Sequence, residues 1–121
     1  MNNMSFMLTA PQILSRTKTI TRRLGWRTLK PGVQIAACRK CMGLKKGEKI
    51  ERLAVLRIVS VSRESLDTIL IRGEEECAAE GFPDMSPAEF VAFFCASHKG
   101  CPPYGMVTRI EFEYCELEVQ P

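Results

Sequence analysis

The sequence predicts a mainly β, α+β domain: a small mixed barrel with two or three short helices packed at its ends. Three observations carry that expectation. Apolar runs of strand length outnumber helical ones, and two of them, over 53–61 and 106–119, are long and alternating. There is no βαβ rhythm, glycine-rich phosphate loop, internal repeat or low-complexity tract. The 121 residues, 45% hydrophobic and 26% charged, suit one globular domain over 1–121. A domain of this size buries more than about 60% of its unfolded surface, so neither metal nor disulfide is needed to hold it. No apolar run approaches the roughly 18 residues of a membrane span, and the first fifteen residues lack the basic region of a secretory signal. A membrane protein, a long repeat array and a multidomain enzyme are therefore not expected.

Along the chain, Met4 to Leu8 reads as a first strand. Thr9 as N-cap with Pro11 in the first turn starts a short helix reaching about Ser15. Lys18 to Arg23 is an extended or turning basic segment, because the β-branched run Thr17, Thr19, Ile20, Thr21 favours strand over helix. Gly25, Pro31 and Gly32 punctuate the next stretch. Val33 to Cys38 reads as a strand, and Gly43 to Glu48 as an exposed basic loop. Leu53 to Val61 reads as a long strand of mostly buried character on both faces. Ser65 to Ile71 either continues it or turns, and Glu74 to Glu80 permits a helix. Ser86 at N-cap, Pro87 at N1 and Glu89 at N3 start a helix carrying Phe90, Val91, Phe93 and Phe94 and ending before Gly100. Met106 to Val119 alternates with Thr108, Ile110, Phe112 and Tyr114 on its buried face.

The net charge of +3 hides an asymmetry: residues 1–52 hold 12 Lys/Arg and 2 Glu, while residues 53–121 hold 5 Lys/Arg and 12 Asp/Glu. Either the first half presents a basic surface to an anionic partner, with nucleic acid the leading class, or the halves interleave and neutralise each other. A basic, acid-free N-terminus also has transit-peptide composition, which the β-branched run argues against. The six cysteines read as reduced thiols of a cytoplasmic protein. No cofactor is expected. The one metal arrangement the residue types allow is a Cys3His zinc site from Cys38, Cys41, Cys95, His98 and Cys101, which lacks a second tight Cys pair. A redox Cys38–Cys41 motif lacks its βαβ context. Cys77 and Cys115 read as core thiols, and His98 as solvent-exposed. The Phe90, Phe93 and Phe94 cluster reads as core packing.

Several segments together resemble one family. They are Met4-Ser-Phe-Met-Leu8, Arg16-Thr-Lys-Thr-Ile-Thr-Arg-Arg23, Leu29-Lys-Pro-Gly32, Cys41-Met-Gly-Leu-Lys-Lys-Gly-Glu48, Glu80-Gly-Phe-Pro83, Ser86-Pro-Ala-Glu-Phe90 and Val107-Thr-Arg-Ile-Glu-Phe-Glu-Tyr114. In that order they resemble the ASCH domain family, most closely its short stand-alone members from bacteria and phages. The resemblance implies a PUA-like mixed β-barrel with a cleft beside its first helix, and RNA or a nucleotide-like ligand. Some small members are amidohydrolases that deacylate N4-acetylcytidine with a Lys and a Thr from a Lys-Thr-Ile-Thr motif and a later Glu. The resemblance places those roles on Lys18, Thr21 and Glu80. The join Gly81-Phe-Pro-Asp84 is longer than in those hydrolases, and the Cys38–Glu48 loop is not typical of them.

Read without the family, a lysine is a poor base at its ordinary pKa near 10.4. Burial and neighbouring cations such as Arg16, Arg22 and Arg23 would lower it. A neutral Lys18 amine could then take the Thr21 hydroxyl proton, making a nucleophile toward an amide carbonyl, with Glu80 orienting the lysine. In a regular strand residues 18 and 21 face opposite ways, so a shared cleft needs a turn or bulge between them. The blander alternative is a strand with solvated cations on one side. For ligand or nucleic-acid binding the candidates are Arg16, Lys18, Thr19, Thr21, Arg22, Arg23, Lys45 and Lys46, with Trp26 stacking on a base or serving as core or cleft rim. The expected function is therefore recognition of RNA or a modified nucleoside in a cleft lined by Lys18, Thr21, Arg22 and Glu80. One alternative is an amidohydrolase of N4-acetylcytidine-type nucleosides, and another is a regulatory interaction module linked to transcription or translation. The partner is RNA or a nucleoside-like ligand, without a membrane and with a monomer as default.

Overall fold

The computed structural model describes residues 1–116. Five strands form one sheet in the order β1-β3-β4-β5-β2: β1 (Asn2–Ser5), β2 (Ile20–Arg23), β3 (Gln34–Cys38), β4 (Arg52–Ser65) and β5 (Met106–Tyr114). The sheet curls into a half-barrel, an α+β fold of PUA-like type. β1 runs parallel to β3, and the remaining pairs are antiparallel. The short strands β1 and β2 are the two edges, so the open seam of the curl lies between them. Four α-helices follow the chain: α1 (Ala10–Leu14), α2 (Ile69–Arg72), α3 (Glu74–Ala79) and α4 (Pro87–Ser97). Among the described residues no helix is long and apolar enough to cross a membrane.

Two local readings need correction, and the open choice at residues 65–71 falls to the turn. The first strand is Asn2–Ser5, and Met7–Thr9 is a 3-10 turn. The pairing of Ser5 with Cys38 continues only to the Phe6 N–H, which donates to the Cys38 carbonyl at 2.8 Å, before the chain turns away. Residues 66–72 turn into 3-10 and α-helix, which takes the helix count beyond two or three. The long strand β4 is not buried on both faces: Leu56 and Ile58 are buried while Arg57 and Val59 are exposed. Between Ile58 and Ser60 the register with β5 shifts, leaving Val59 as an extra bulged residue. A bulge inverts the alternation beyond it. Val61 thereby joins Ile58 against the core, opposite Ile110 and Phe112. Of the expected 106–119 strand, the last three residues lie outside the described ones.

Two apolar clusters hold the layers together. Met4, Phe6, Ile13, Ile35, Leu56, Ile58, Ile110 and Phe112 fill the inside of the curl, where Ile13 docks α1. Leu66, Ile69, Cys77, Phe90, Val91 and Phe94 join α2, α3 and α4 to Val107. Val107 and Ile110 have opposite parity in β5, so one strand serves both clusters from its two faces. Each fully buried side chain of this kind contributes about 1.5–3 kcal/mol. The α4 start is as the sequence reads. The Glu89 N–H donates to Ser86 Oγ at 3.1 Å, and the Ser86 N–H donates to Glu89 Oε1 at 3.0 Å. Ser86→Ala is expected to cost about 1 kcal/mol, the usual price of an N-cap. Urea denaturation checks this: an unchanged midpoint would mean that packing of Phe90 and Phe94 alone sets the helix start.

Candidate functional site

A cleft of about 210 Å³ opens at the seam between the two edge strands. β2 supplies Thr21, Arg22 and Arg23. Residues 5–9, where the chain leaves β1, supply the facing rim. The Arg23 guanidinium lies 4.7 Å above the Phe6 ring and so bridges the seam. α4 closes the far side with Phe90, Phe93 and Phe94, to which Phe82 and His98 add.

Lys18 reaches this cleft because it precedes β2 and is not part of it. α1 ends with Arg16 in the left-handed region (φ 62°), a chain reversal that closes many helices. The Gln12 carbonyl then accepts from the Thr17 and Lys18 N–H groups, at 3.0 and 3.3 Å. The Tyr114 hydroxyl donates to the Lys18 carbonyl at 2.6 Å. Strand alternation therefore does not separate residues 18 and 21, and both line the cleft. Glu80 arrives from α3: the Thr19 N–H donates to the Ala79 carbonyl at 2.8 Å, docking the helix end beside the segment. Gly81 permits that approach. Its φ is +101°, and a Cβ there would meet Gln12 Cγ at 3.1 Å.

The polar wall is a buried charge network. Lys18 Nζ donates to Glu80 Oε1 at 2.9 Å and to the Glu80 carbonyl at 2.5 Å. Arg22 pairs with Glu80 at 2.8 Å, Glu64 at 3.1 Å and Glu76 at 3.3 Å. Glu64 and Glu76 also hold Arg72 and Arg109. Arg23 donates through Nε to Thr21 Oγ1 at 3.1 Å. Burial pushes the Lys18 pKa below its ordinary value; Glu80 opposes that shift, and Arg23 and Arg22 reinforce it. Burial also pushes Arg23 down to about 10. For Glu76 burial acts upward, but the Arg109 hydrogen bond and the charges of Arg22, Arg109 and Arg72 outweigh it and hold the carboxyl below its usual value.

Glu76 and Lys18 both make stability rise with pH, but in different windows. The folded-state pKa of Glu76 is depressed, so its contribution is present above the ordinary carboxylate pKa and is lost as pH falls through the lowered folded value. For Lys18 the unfolded chain binds the proton at a pH where the folded chain does not, so its unfavourable contribution is relieved as pH rises toward 10.5. Unfolding free energy is accordingly expected to fall as pH drops below about 4.5, with a shallower slope in Glu76→Gln. Equal acid slopes in the two proteins, measured by urea titration at several pH values, would contradict this.

Lys18, Thr21, Arg22, Arg23 and Glu80 are thus brought together. The other expected binding residues are not. Arg16 is exposed and stacks 5.5 Å from the Tyr114 ring. Thr19 is exposed, Trp26 packs partly buried against the sheet core, and Lys45 and Lys46 are exposed in the β3–β4 loop. The zinc grouping does not form: among the described residues no three His, Cys, Asp or Glu side chains are gathered for a metal. Cys38 and Cys41 belong to the end of β3, whereas Cys95, His98 and Cys101 belong to the end of α4. His98 is not solvent-exposed: it is half-buried, stacks 3.9 Å from Phe94 and lines the cleft. Phe90 and Phe94 are core residues as expected, but with Phe93 they also form the apolar wall. The two charge halves interleave at this site, since Glu64, Glu76 and Glu80 neutralise cations of the first half. Those glutamates escaped the sequence reading except Glu80; the acidic excess of residues 53–121 was the signal.

A curled five-stranded sheet with helices closing its seam is a PUA-like fold. This fold is that of an ASCH domain. The chain is similar to the ASCH domain from Lactobacillus crispatus JV V101, with a TM-score of 0.60, 16% identity, and 93% of this chain covering 78% of that one. It is also similar to hypothetical protein PH0355, with a TM-score of 0.58, 19% identity, and 93% of this chain covering 95% of that one. A third similar structure is protein EF3133 from Enterococcus faecalis V583, of family model DUF984, with a TM-score of 0.53, 16% identity, and coverage of 88% and 66%. No family model and no curated protein matches the chain in sequence.

Proposed function

We propose that the cleft takes a single modified nucleobase and hydrolyses an N4-acyl amide of cytidine, releasing cytidine and the carboxylic acid. The observation that carries this reading is the buried Lys18 amine, held by Glu80 and lowered in pKa, in one cleft with the Thr21 hydroxyl. A volume of about 210 Å³ equals roughly seven waters, the size of a pyrimidine with a short acyl arm. The neutral Lys18 amine takes the Thr21 proton, and Thr21 Oγ attacks the amide carbonyl. The tetrahedral intermediate expels the cytosine amine, which leaves with a proton from Lys18. Water then attacks the acyl-threonine ester, restoring Thr21 and freeing the acid. The aromatic side chains of α4 supply a stacking wall for the base.

An extended RNA strand is the second reading, favoured by the exposed Lys45 and Lys46. It is the weaker one for this cleft, whose Lys18 and Arg22 are buried and already paired with carboxylates. The test is chromatography of purified protein with N4-acetylcytidine beside Lys18→Ala. Conversion by wild type alone supports the hydrolase. Failure of both proteins removes this substrate and directs attention to RNA binding across a salt series, where phosphate contacts make affinity fall steeply.

A further inference from the structure

We propose that Arg23 is a subsite for an anionic group beside Thr21, and that the acyl arm of the substrate carries a carboxylate; this rests on the amide-hydrolysis reading above. Arg22 and Lys18 have carboxylate partners within hydrogen-bond distance, but Arg23 has none among the described residues. Its Nε–H is taken by the Thr21 hydroxyl and its flat face by Phe6, which leaves its terminal N–H groups for a ligand. The surrounding network repeats the imbalance: among the described residues Lys18, Arg22, Arg72 and Arg109 already share Glu64, Glu76 and Glu80, and Arg23 is a fifth cation beside them. Partial burial makes the Arg23 charge costly and presses on its protonated form, and Glu80 offsets this only in part. A bound oxyanion relieves that cost through a two-pronged, charge-assisted contact, which guanidinium geometry suits.

Geometry chooses between the two sources of such an anion, a nucleotide phosphate and an acid on the acyl arm. With Nε on Thr21 Oγ1, an oxygen bound to the terminal nitrogens lies roughly 6–7 Å from that oxygen, one guanidinium width plus a hydrogen bond on each side. When the scissile carbonyl is at Thr21, a short dicarboxylic half-amide places its free carboxylate within that range. The 5′-phosphate of the same cytidine lies across the base and ribose, beyond it.

The test uses N4-acetylcytidine, N4-succinylcytidine and the 5′-monophosphate of N4-acetylcytidine, with wild type, Arg23→Gln and Arg23→Lys. Affinity is read by calorimetry and turnover by chromatography. The succinyl compound is expected to bind wild type about tenfold more tightly than the acetyl compound, the scale of one charged hydrogen-bond pair. The phosphate adds no comparable gain. Arg23→Gln brings the succinyl-to-acetyl ratio near one, and Arg23→Lys, which keeps the charge, retains part of it. Equal wild-type affinities, a gain from the phosphate that matches the succinyl gain, or a preference that survives in Arg23→Gln overturns the assignment. Binding with the stated preference but no turnover of any compound leaves the Arg23 subsite standing and removes the hydrolase reading.

Discussion

Glu80→Ala is expected to lower the stability of the fold by about 3–5 kcal/mol, the cost of stripping the partner from buried charge. Each oxygen of this carboxylate has its own cation: Oε1 receives Lys18 Nζ at 2.9 Å and Oε2 receives Arg22 Nη1 at 2.8 Å. All three side chains are nearly inaccessible to water. Removing the carboxylate leaves two desolvated cations facing each other across the space it filled. Arg22 retains Glu64 and Glu76, so Lys18 bears most of the loss. Urea denaturation reads the effect as a lowered midpoint at constant slope. Glu80→Gln keeps the shape and an acceptor and is expected to fall between wild type and Ala. A cost below about 1 kcal/mol for Ala, the range of an exposed pair, would mean that the network is hydrated and Glu80 is not its centre.

Lys18→Ala is expected to reduce turnover of N4-acetylcytidine by roughly 10²–10⁴-fold, the usual contribution of a positioned acid–base group. The fold should survive, in contrast to Glu80→Ala, because Glu80 keeps Arg22 when Lys18 is gone. Lys18→Met, which fills the same space without charge, is expected to cost less stability than Glu80→Ala, since Glu80 keeps its bond to Arg22. The wild-type rate should rise with pH through the lowered Lys18 pKa, because the neutral amine is the working base. That limb should disappear in both variants. Undiminished turnover by Lys18→Ala, or a rate that falls over the same pH range, would exclude Lys18 as the base.

Much of the fold was legible in the sequence because its signals are local. The alternation of Ile110, Phe112 and Tyr114 marks β5 from residues two apart. The Ser86-Pro-Ala-Glu89 pattern starts α4 through bonds that span three residues. Lys18, Thr21 and Glu80 could be singled out through the resemblance, not through their types, since a strand would have set Lys18 and Thr21 on opposite faces. The bulge at Val59 was not legible, because a shifted register is a property of two strands. The 3-10 turn at Met7–Thr9 reads as strand by hydrophobicity alone. His98 looked exposed because its stacking partner, Phe94, lies one helical turn back and its burial comes from the cleft.

The sequence by itself determined the strand-rich class, the helix boundary at Ser86 and the two opposed charge halves, all of which follow from neighbours in the chain. Only the tertiary structure decided that β1 and β2 leave a seam, that α3 and α4 close it, and that the acidic half supplies Glu64, Glu76 and Glu80 to the cations of the basic half. Lys18 and Glu80 are 62 residues apart, and their contact depends on Gly81 fitting against Gln12 and on the Thr19–Ala79 bond. Pairings at such separations are selected by the packing of whole elements, which no short stretch of sequence encodes.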